Sequence, residues 1–246
     1  MRFLVIQHAS CEPPGAYEDE MRARDISFER VEVDRGEPLP EWRSFDAIVA
    51  MGGPMSATED RELPWLASEK RHLAEAVTGG LPYWGVCLGA QLLAACLGAR
   101  VYRGERSEIG VYRDVELTPR AREDTVFAAA PQRITTLQWH SDTFELPPGA
   151  RLLARSDAYP HQAFAWRRAY GLQFHLEASP ELTAEWLEVP AYAEELTRTL
   201  GPDGLGTMRA QLGELSSAPA LARQLFGRFI DRVVSGDRAE GPARGG

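Results

Sequence analysis

One stretch indicates the fold of this chain most clearly: Leu81-Pro82-Tyr83-Trp84-Gly85-Val86-Cys87-Leu88-Gly89. Its first six residues form an apolar run typical of a buried strand, and residues 88–97 have the apolar spacing of a helix that Gly98 would end. Cys87 therefore stands at a sharp turn between a strand and a helix. Small residues two positions before and after such a turn relieve its steric crowding, and Gly85 and Gly89 occupy these positions. The stretch predicts a nucleophile at the carboxyl edge of a parallel sheet.

The sequence before this turn alternates in the same way between short apolar runs and helical patterns. We predict strands at Phe3–Gln7, Phe28–Val33 and Ala47–Met51, and helices at Gly15–Asp25 and Leu63–Val77. This alternation is typical of a parallel sheet with helices on both faces. The fold class is therefore predicted as α/β, with a mostly parallel central sheet flanked by helices.

The sequence after the turn has a strand-rich middle and a helical end. Short strands separated by turn signals are predicted at Val111–Leu117, Ile134–Trp139, Leu152–Ala154, Gln162–Trp166 and Tyr170–His175. After Ser179-Pro180 the pattern becomes helical, and Pro219–Val234 is a good candidate for an amphipathic helix.

These patterns predict how the chain is organised. We expect one catalytic domain over residues 1–186, a helical extension over 187–235 and a disordered tail over 236–246. The helices beyond Pro190 are expected to cover the domain or a partner surface and to lie outside the chemistry, because the reactive motifs all precede Ser179.

Composition places the chain among ordinary globular proteins, with 44% hydrophobic and 26% charged residues. The formal net charge of −9 disfavours binding to nucleic acid, because an acidic surface repels phosphate. No apolar run approaches the ~20 residues of a membrane helix, so no membrane association is expected. Three cysteines are too few for a disulfide framework and suit a reducing compartment, which predicts a cytoplasmic protein.

Cys87 differs from the other two cysteines in its surroundings. The N-terminus of the predicted helix lies beside it, and the positive end of the helix dipole favours the thiolate, which is the attacking species. Cys96 has helical spacing with Leu88 and Leu92 and is expected to pack in the core, whereas Cys11 lies in a polar loop. We therefore interpret Cys87 as the nucleophile.

A cysteine hydrolase needs a base near the sulfur and a group that orients this base. His175 ends a predicted strand, and Glu177 follows two residues later, where an extended chain points in the same direction. The Glu177 carboxylate would then hold the His175 imidazole. His140 is a rival base, although we favour a place for it in the lining of the substrate pocket. His8, after the first strand, is a weaker candidate for contact with the site.

A glycine pair follows the predicted strand at Ala47–Met51. The turn Gly52-Gly53-Pro54 would let the backbone approach a ligand and point an N–H group at it. Together with the N–H of Leu88, the N–H of Gly53 would form a hole with two donors for a tetrahedral oxyanion. The alternative is an ordinary Gly-Pro turn with no part in the chemistry.

Taken together, these motifs resemble those of the class I glutamine amidotransferases. The matching pieces, in order, are Met51-Gly52-Gly53-Pro54, Gly85-Val86-Cys87-Leu88-Gly89-Ala90-Gln91, Trp139-His140-Ser141-Asp142 and Gln173-Phe174-His175-Leu176-Glu177. The resemblance covers residues 1 to about 186 and is greatest to stand-alone proteins similar to the amidotransferase domain of GMP synthase. It implies a flavodoxin-like α/β fold with a C-terminal helical extension.

The resemblance also implies roles for individual residues. It implies a catalytic triad of Cys87, His175 and Glu177, with oxyanion donors at Gly53 and Leu88. Further substrate contacts are implied at Gly52, Gln91, His140, Ser141 and Asp142. No metal or organic cofactor is implied. Leu176 departs from the proline usual in the family, but its side chain has no part in the chemistry.

The expected reaction is hydrolysis of the glutamine side-chain amide through a γ-glutamyl thioester, which releases glutamate and ammonia. The residues after position 186 are too few for an ATP-using acceptor domain, so a separate partner enzyme is expected to accept the ammonia. An independent hydrolase of γ-glutamyl peptides or amides is the main alternative. A non-catalytic protein that binds a partner is a third.

Overall fold

The computed structural model describes residues 1–236, and within them nine strands form a single sheet. In chain order the strands are β1 Arg2–Gln7, β2 Ser27–Glu32, β3 Ala47–Ala50, β4 Tyr83–Val86, β5 Val101–Leu117, β6 Arg133–Phe144, β7 Arg151–Arg155, β8 Ala163–Trp166 and β9 Ala169–Leu172. The helices are α1 Ala16–Ala23, α2 Pro64–Thr78, α3 Leu88–Cys96, α4 Pro119–Glu123, α5 Pro180–Trp186, α6 Pro190–Leu200, α7 Gly204–Gln211 and α8 Ala218–Phe229. The tail predicted at 236–246 lies outside the described residues, apart from Gly236.

The sheet has the strand order β2-β1-β3-β4-β9-β8-β7-β5-β6. From β2 to β9 the strands are parallel, and from β9 to β6 they are antiparallel. The predicted α/β class is confirmed, and the sequence predicted the parallel half well because its strands are short, apolar and separated by helices. Within residues 1–236, no helix combines the length and apolar character needed to cross a bilayer.

The antiparallel half departs most from the predicted boundaries. Strands β5 and β6 begin or end well beyond the predicted segments and pair with each other along most of their length. The first part of β5 is polar and largely exposed, so it carries no apolar alternation that could reveal it. Its pairing with β6 shifts in register between Arg103 and Glu108, which also breaks the pattern.

The strand predicted at Tyr170–His175 ends earlier, at Leu172. Beyond it, the chain leaves the parallel sheet and forms an isolated antiparallel bridge between His175 and Leu137 of β6. The His175 N–H donates to the Leu137 carbonyl at 2.9 Å, and the Leu137 N–H donates back at 3.2 Å. These bonds hold the backbone of His175 in the crevice between the two halves of the sheet.

Helices cover both faces of the sheet, and alternate residues of the strands supply the two cores. In β1, Phe3 and Val5 point to the face covered by α1 and α8, whereas Leu4 and Ile6 point to the face covered by α2 and α3. Strand β1 is therefore buried on both sides, as expected for a strand inside a parallel sheet.

Helix α8 confirms the amphipathic helix predicted near the C-terminus, and it completes one of these cores. Phe226 and Phe229 are fully buried, with ring centroids 5.6 and 5.2 Å from that of Trp84 in β4. Because Trp84 lies three residues before Cys87, this part of the extension packs against the strand that leads into the turn at Cys87. It belongs to the structural core of the domain.

Phe226→Ala is expected to lower the free energy of unfolding by about 3–5 kcal/mol, because it leaves a cavity among aromatic rings that cannot collapse easily. Chemical denaturation measures this change. Arg223→Ala on the exposed side of α8 is the matched control and should change stability by less than about 0.5 kcal/mol. Equal stabilities for the two variants would show that α8 does not contribute to the core.

Candidate active site

The turn at Cys87 has the strained geometry that the sequence predicts. Cys87 adopts a positive φ of 50°, and helix α3 begins at the next residue. A Cβ on Gly85 would lie 2.6 Å from the Gly89 carbonyl oxygen, and a Cβ on Gly89 would overlap the carbonyl oxygen of Ala50 in β3. Both positions therefore exclude any larger residue. The turn presses the cysteine backbone against neighbouring strands and leaves its side chain at the edge of the sheet.

The thiol of Cys87 is buried among polar groups. Its Sγ lies 3.7 Å from the carbonyl oxygen of Trp139 and 3.7 Å from Nε2 of Gln173. Burial raises the pKa of this thiol, whereas the interaction with His175 acts in the opposite direction. The helix dipole was expected to favour the thiolate, but its effect of about 0.3–1 kcal/mol is smaller than the cost of desolvating a buried charge. Among the groups around the sulfur, His175 is the side chain that lowers this pKa.

His175 and Glu177 lie together, as their spacing predicts. Nδ1 of His175 is 2.7 Å from Oε1 of Glu177, and Oε2 of Glu177 accepts from the N–H of Leu176 at 3.0 Å. Both side chains are about 1% exposed. With Nδ1 bonded to the carboxylate, Nε2 is the ring nitrogen that remains for another partner, and Cys87 is among the groups that act on this imidazole. The structure thus brings the three side chains predicted as a triad together.

The electrostatic surroundings of His175 favour its protonated form. Burial alone would lower the pKa of the imidazole, but the Glu177 carboxylate and the Cys87 sulfur outweigh this effect and raise the pKa well above its ordinary value. The edge of the ring also packs against Trp186, with centroids 5.1 Å apart at 85°. The imidazole is therefore both fixed in orientation and able to accept a proton at low cost.

The glycine pair after β3 lies directly against the nucleophile turn. A Cβ on Gly53 would lie 3.2 Å from Cδ2 of Leu88, and the Met51 carbonyl accepts from the N–H of Gly89 at 3.2 Å. Within residues 1–236, the N–H groups of Gly53 and Leu88 donate to no protein acceptor. The structure thus places Gly53 beside Leu88, and neither N–H is paired with an acceptor among the residues it describes.

His8 is bonded to the start of this loop through the Met51 carbonyl. Its Nδ1 donates to the Met51 carbonyl at 3.0 Å, and its Nε2 lies 2.9 Å from Oε1 of Glu69 in α2. The His8 and Glu69 side chains are 0% and 1% exposed. Burial lowers the pKa of His8, but the carboxylate of Glu69 more than compensates and the net pKa is raised. The sequence predicted only that His8 lies near this edge, and it offered no indication of Glu69 as its partner.

His8→Gln is expected to reduce kcat for amide hydrolysis by about 10–100-fold with little change in KM, because it removes the anchor of the Gly53 loop. The loss should be smaller than the 10²–10³-fold typical of deleting an oxyanion donor outright. Steady-state kinetics below the unfolding temperature of the variant measure the effect. His72→Gln, also on the α2 side of the sheet, is the control and should retain kcat. Equal kcat values for both variants would contradict the anchoring role.

A cavity of about 160 Å³ opens above Cys87. Of the residues predicted to contact the substrate or reacting groups, the cavity is lined by Gly53, Cys87, Gln91, His140, Ser141 and Asp142. The others form the buried layer around it: Gly52, Leu88, His175 and Glu177. The predicted site residues therefore come from separate segments of the chain and converge on one small polar space.

Gln91 and the segment after Trp139 form one wall of this cavity. The Gln91 side-chain amide donates to the Asp142 carbonyl and to the side-chain oxygen of Gln173, each at 3.2 Å. The hydroxyl of Ser56, on the loop that carries Gly53, donates to the Asp142 carboxylate. Ser141 pairs with Ser107 through their hydroxyls at 2.7 Å. These bonds give the wall a fixed shape and join it to the loop that carries Gly53.

His140 lines the cavity but is not placed as a base. Its Nδ1 donates to the Asp142 carbonyl at 2.9 Å, and its Nε2 lies 3.1 Å from a carboxylate oxygen of Glu108. Both ring nitrogens are thus engaged away from Cys87. This geometry agrees with the position in the pocket lining that we favoured for His140 from the sequence.

Comparison with known proteins agrees with this arrangement. The sequence model of the family described as glutamine amidotransferase class I matches residues 16–189, which include Cys87, His175 and Glu177. This chain is a class I glutamine amidotransferase. The family match also covers α5, so it ends close to the expected boundary at residue 186.

Two relatives and one solved structure show which proteins this amidotransferase is similar to. It is 35% identical to the glutamine amidotransferase-like protein YfeJ of Salmonella typhimurium over 187 residues, 74% of this chain and 77% of that protein. It is 36% identical to one of the subunits of the glutamine-hydrolyzing GMP synthase of Pyrococcus abyssi over 161 residues, 63% of this chain and 80% of that relative. A crystal structure of a glutamine amidotransferase from Thermotoga maritima superposes with a TM-score of 0.82 at 34% identity, covering 94% and 98% of the two chains.

The C-terminal extension of this amidotransferase reaches the cavity, a contact that the expected covering role of the helices beyond Pro190 did not include. Tyr192 and Glu195 of α6 line the same cavity as Cys87. The Tyr192 hydroxyl donates to the carboxylate of Glu12, and a carboxylate oxygen of Glu195 accepts from the Trp139 indole at 3.2 Å. An amphipathic pattern predicts that a helix packs, but it cannot predict which distant surface the helix covers.

Glu12 is one of the cavity residues that the sequence did not predict, together with Met55, Ser56, Glu59, Arg103, Tyr192 and Glu195. It follows β1 at the carboxyl edge of the sheet, where the same rule that selected Gly53 and Cys87 could have found it. Its side chain is buried and lines the cavity. A Cβ on Gly52 would overlap Glu12 Oε2 and lie 3.0 Å from Cε1 of His175, so the carboxylate and the imidazole approach the loop from the same side.

Proposed function

We propose that this amidotransferase hydrolyses the side-chain amide of glutamine with Cys87 as nucleophile, His175 as general base and acid, and Glu177 as the group that orients His175. One observation carries the proposal. Cys87 stands on a strained turn, interacts with a His175 ring that Glu177 holds at 2.7 Å, and lines the same cavity as Gly53, whose N–H is paired with no acceptor among the described residues. A nucleophile, an oriented base and an oxyanion donor are the parts that acyl transfer requires.

In the first half-reaction, Nε2 of His175 takes the thiol proton as Sγ attacks the γ-carbonyl carbon of glutamine. The carbonyl oxygen becomes an oxyanion that accepts hydrogen bonds from the N–H groups of Gly53 and Leu88. When the tetrahedral adduct collapses, the C–N bond breaks and the imidazolium returns its proton to the leaving nitrogen. Ammonia departs, and the glutamyl group remains on Cys87 as a thioester.

Water completes the reaction in the second half. His175 takes a proton from water as its oxygen attacks the thioester carbonyl, and the same two N–H groups hold the new oxyanion. Collapse breaks the C–S bond, and the imidazolium returns its proton to the sulfur. Glutamate leaves, and the free thiol of Cys87 is restored. Glu177 keeps the imidazole in one tautomer throughout and stabilises its charge.

The ammonia is proposed to pass to a separate acceptor enzyme. Relatives that are named as one of the subunits of GMP synthase support this proposal, because their name implies a second subunit. Hydrolysis of γ-glutamyl peptides without a partner is the second candidate, since the same reacting groups would cleave either bond.

A comparison of substrates tests the proposed function. The purified protein should release glutamate from glutamine slowly, and it should release less from γ-glutamyl dipeptides at equal concentration. Cys87→Ala protein serves as the control for background hydrolysis. A kcat/KM for a γ-glutamyl dipeptide well above that for glutamine would overturn the choice of glutamine and favour the independent hydrolase.

A further inference from the structure

Glu12 is a buried acidic group that the proposed mechanism does not use. Its Oε1 accepts a hydrogen bond from the Tyr192 hydroxyl, whereas no donor among the residues that the structure describes reaches Oε2. The residue is 6% exposed and belongs to the wall of the cavity that contains Cys87. A carboxylate in this position costs free energy to bury, so a partially unsatisfied one is a candidate contact for a ligand.

The side chains around Cys87 form two groups. Gln91, Asp142 and Arg103 belong to one, since Gln91 donates to the Asp142 carbonyl and Arg103 pairs in register with Asp142 between β5 and β6. Glu12 belongs to the other, beside the Cε1 edge of His175. All four residues line the cavity: the first group contains the cation Arg103 together with the Asp142 carboxylate, whereas the second contains a carboxylate only. Glu59 and Glu195 add two further carboxylates to the lining.

The proposed chemistry assigns an end of the substrate to each group. His175 must return a proton from Nε2 to the leaving nitrogen, so this nitrogen departs next to the imidazole. Glu12 lies along the adjoining edge of the same ring and therefore faces the leaving group. The guanidinium of Arg103, with Gln91 and Asp142, then faces the amino acid end of the γ-glutamyl group.

Resting on the proposed function, we propose that Glu12 determines specificity for the leaving group: it accepts an N–H of a leaving ammonia or neutral amine and disfavours a leaving group that carries a carboxylate. In a γ-glutamyl dipeptide the leaving nitrogen belongs to an amino acid whose carboxylate is only two bonds away. Two negative charges this close in a largely water-excluded site repel strongly. The leaving group of glutamine is ammonia, which carries no carboxylate, so this repulsion is absent.

The ionisation of Glu12 supplies a second test of the same inference. Burial raises the pKa of this carboxyl, while His175 and the Tyr192 hydroxyl act to lower it. As the pH falls through the raised pKa, Glu12 becomes neutral and its repulsion of a carboxylate should disappear. The titratable groups that act on Glu12 are His8, Cys11, Cys87, His175, Glu177 and Tyr192, and Glu59, His140, Asp142 and Glu195 line the same cavity. Because these groups also act on a leaving-group carboxylate, the contribution of Glu12 is the part of the substrate ratio that differs between the wild-type protein and Glu12→Gln.

Two substrates of nearly equal size isolate the effect of charge: γ-glutamylglycine and γ-glutamylglycinamide differ only in a carboxylate replaced by a carboxamide. For the wild-type protein, kcat/KM should be at least about tenfold higher for the glycinamide at pH 8. This preference should diminish as the pH is lowered. In Glu12→Gln, whose side chain can still accept from Tyr192, the preference should fall to about onefold at every pH.

Glu194→Gln is the matched control, because it removes one negative charge from α6 at a position outside the cavity. It should keep the wild-type preference and its pH dependence. A merely structural defect in Glu12→Gln would lower kcat/KM for both compounds and leave their ratio unchanged.

Three outcomes would contradict the role of Glu12, and a fourth would contradict the proposed function itself. A wild-type protein that cleaves both compounds equally at pH 8, or a Glu12→Gln variant that keeps the preference, would refute the role of Glu12 while leaving the proposed function intact. Cleavage of glutamine but of neither γ-glutamyl compound would also refute it, since the leaving-group side would then be limited by size. Failure to cleave any of the three, glutamine included, would instead contradict the proposed function.

Discussion

Cys87→Ala is expected to lower the rate of glutamine hydrolysis by about 10⁴–10⁶-fold, to the level of the background reaction, because no thioester can form without the sulfur. The fold should survive the change. Alanine fits the space of the thiol, and the positive φ of 50° strains both residues alike. Glutamate release and a thermal unfolding curve, measured on the same preparation, separate loss of chemistry from loss of structure.

Cys96→Ala is the control for this substitution. The Cys96 thiol donates to the Lys70 carbonyl on the α2 side of the sheet, and burial raises its pKa to about 12. Such a thiol is inert at neutral pH. Cys96→Ala should therefore keep wild-type turnover. Appreciable glutamine hydrolysis by Cys87→Ala, with Cys96→Ala inactive, would mean that the wrong cysteine has been chosen.

His175→Asn is expected to cost about 10²–10⁴-fold in kcat, since one group supplies the base and the acid for both half-reactions. Glu177→Gln should be milder, because the amide can still contact Nδ1 of His175 but provides no charge to stabilise the imidazolium. Removal of Glu177 should also lower the raised pKa of His175. The acidic limb of the kcat/KM profile should then move to lower pH, which a structural defect would not produce.

His140→Asn distinguishes between the two histidines that the sequence offered as bases. Its ring bonds to the Asp142 carbonyl and to Glu108, so its loss should disturb the cavity wall and raise KM more than it lowers kcat. A kcat destroyed by His140→Asn but retained in His175→Asn would require the roles of the two residues to be exchanged.

The parallel half of the fold and the nucleophile turn could be predicted because their causes are local. Gly85 and Gly89 admit no other residue for reasons of backbone crowding around the turn itself, and the strand before it is short and fully buried. Likewise, the two-residue spacing of His175 and Glu177 sets their common direction. Features of this kind can be recognised from which residue types follow one another in the sequence.

Contacts between residues that are far apart in the sequence could not be predicted. The contact of Tyr192 with Glu12 joins residues 180 positions apart, and Glu69 reaches His8 across 61 positions. No periodicity encodes which helix lies over which edge of the sheet. Burial raises the pKa of the Cys87 thiol, and the depth of burial, unlike the position of a helix N-terminus, cannot be seen in the sequence.

Covalent labelling tests the central claim most directly. The protein is incubated with an electrophilic analogue of glutamine, digested, and analysed by mass spectrometry, with an excess of glutamine as a competitor in a parallel sample. The account predicts a single adduct on Cys87, formed in step with loss of activity and slowed by glutamine. An adduct on Cys11 or Cys96 that accompanies inactivation, with Cys87 unmodified, would contradict it.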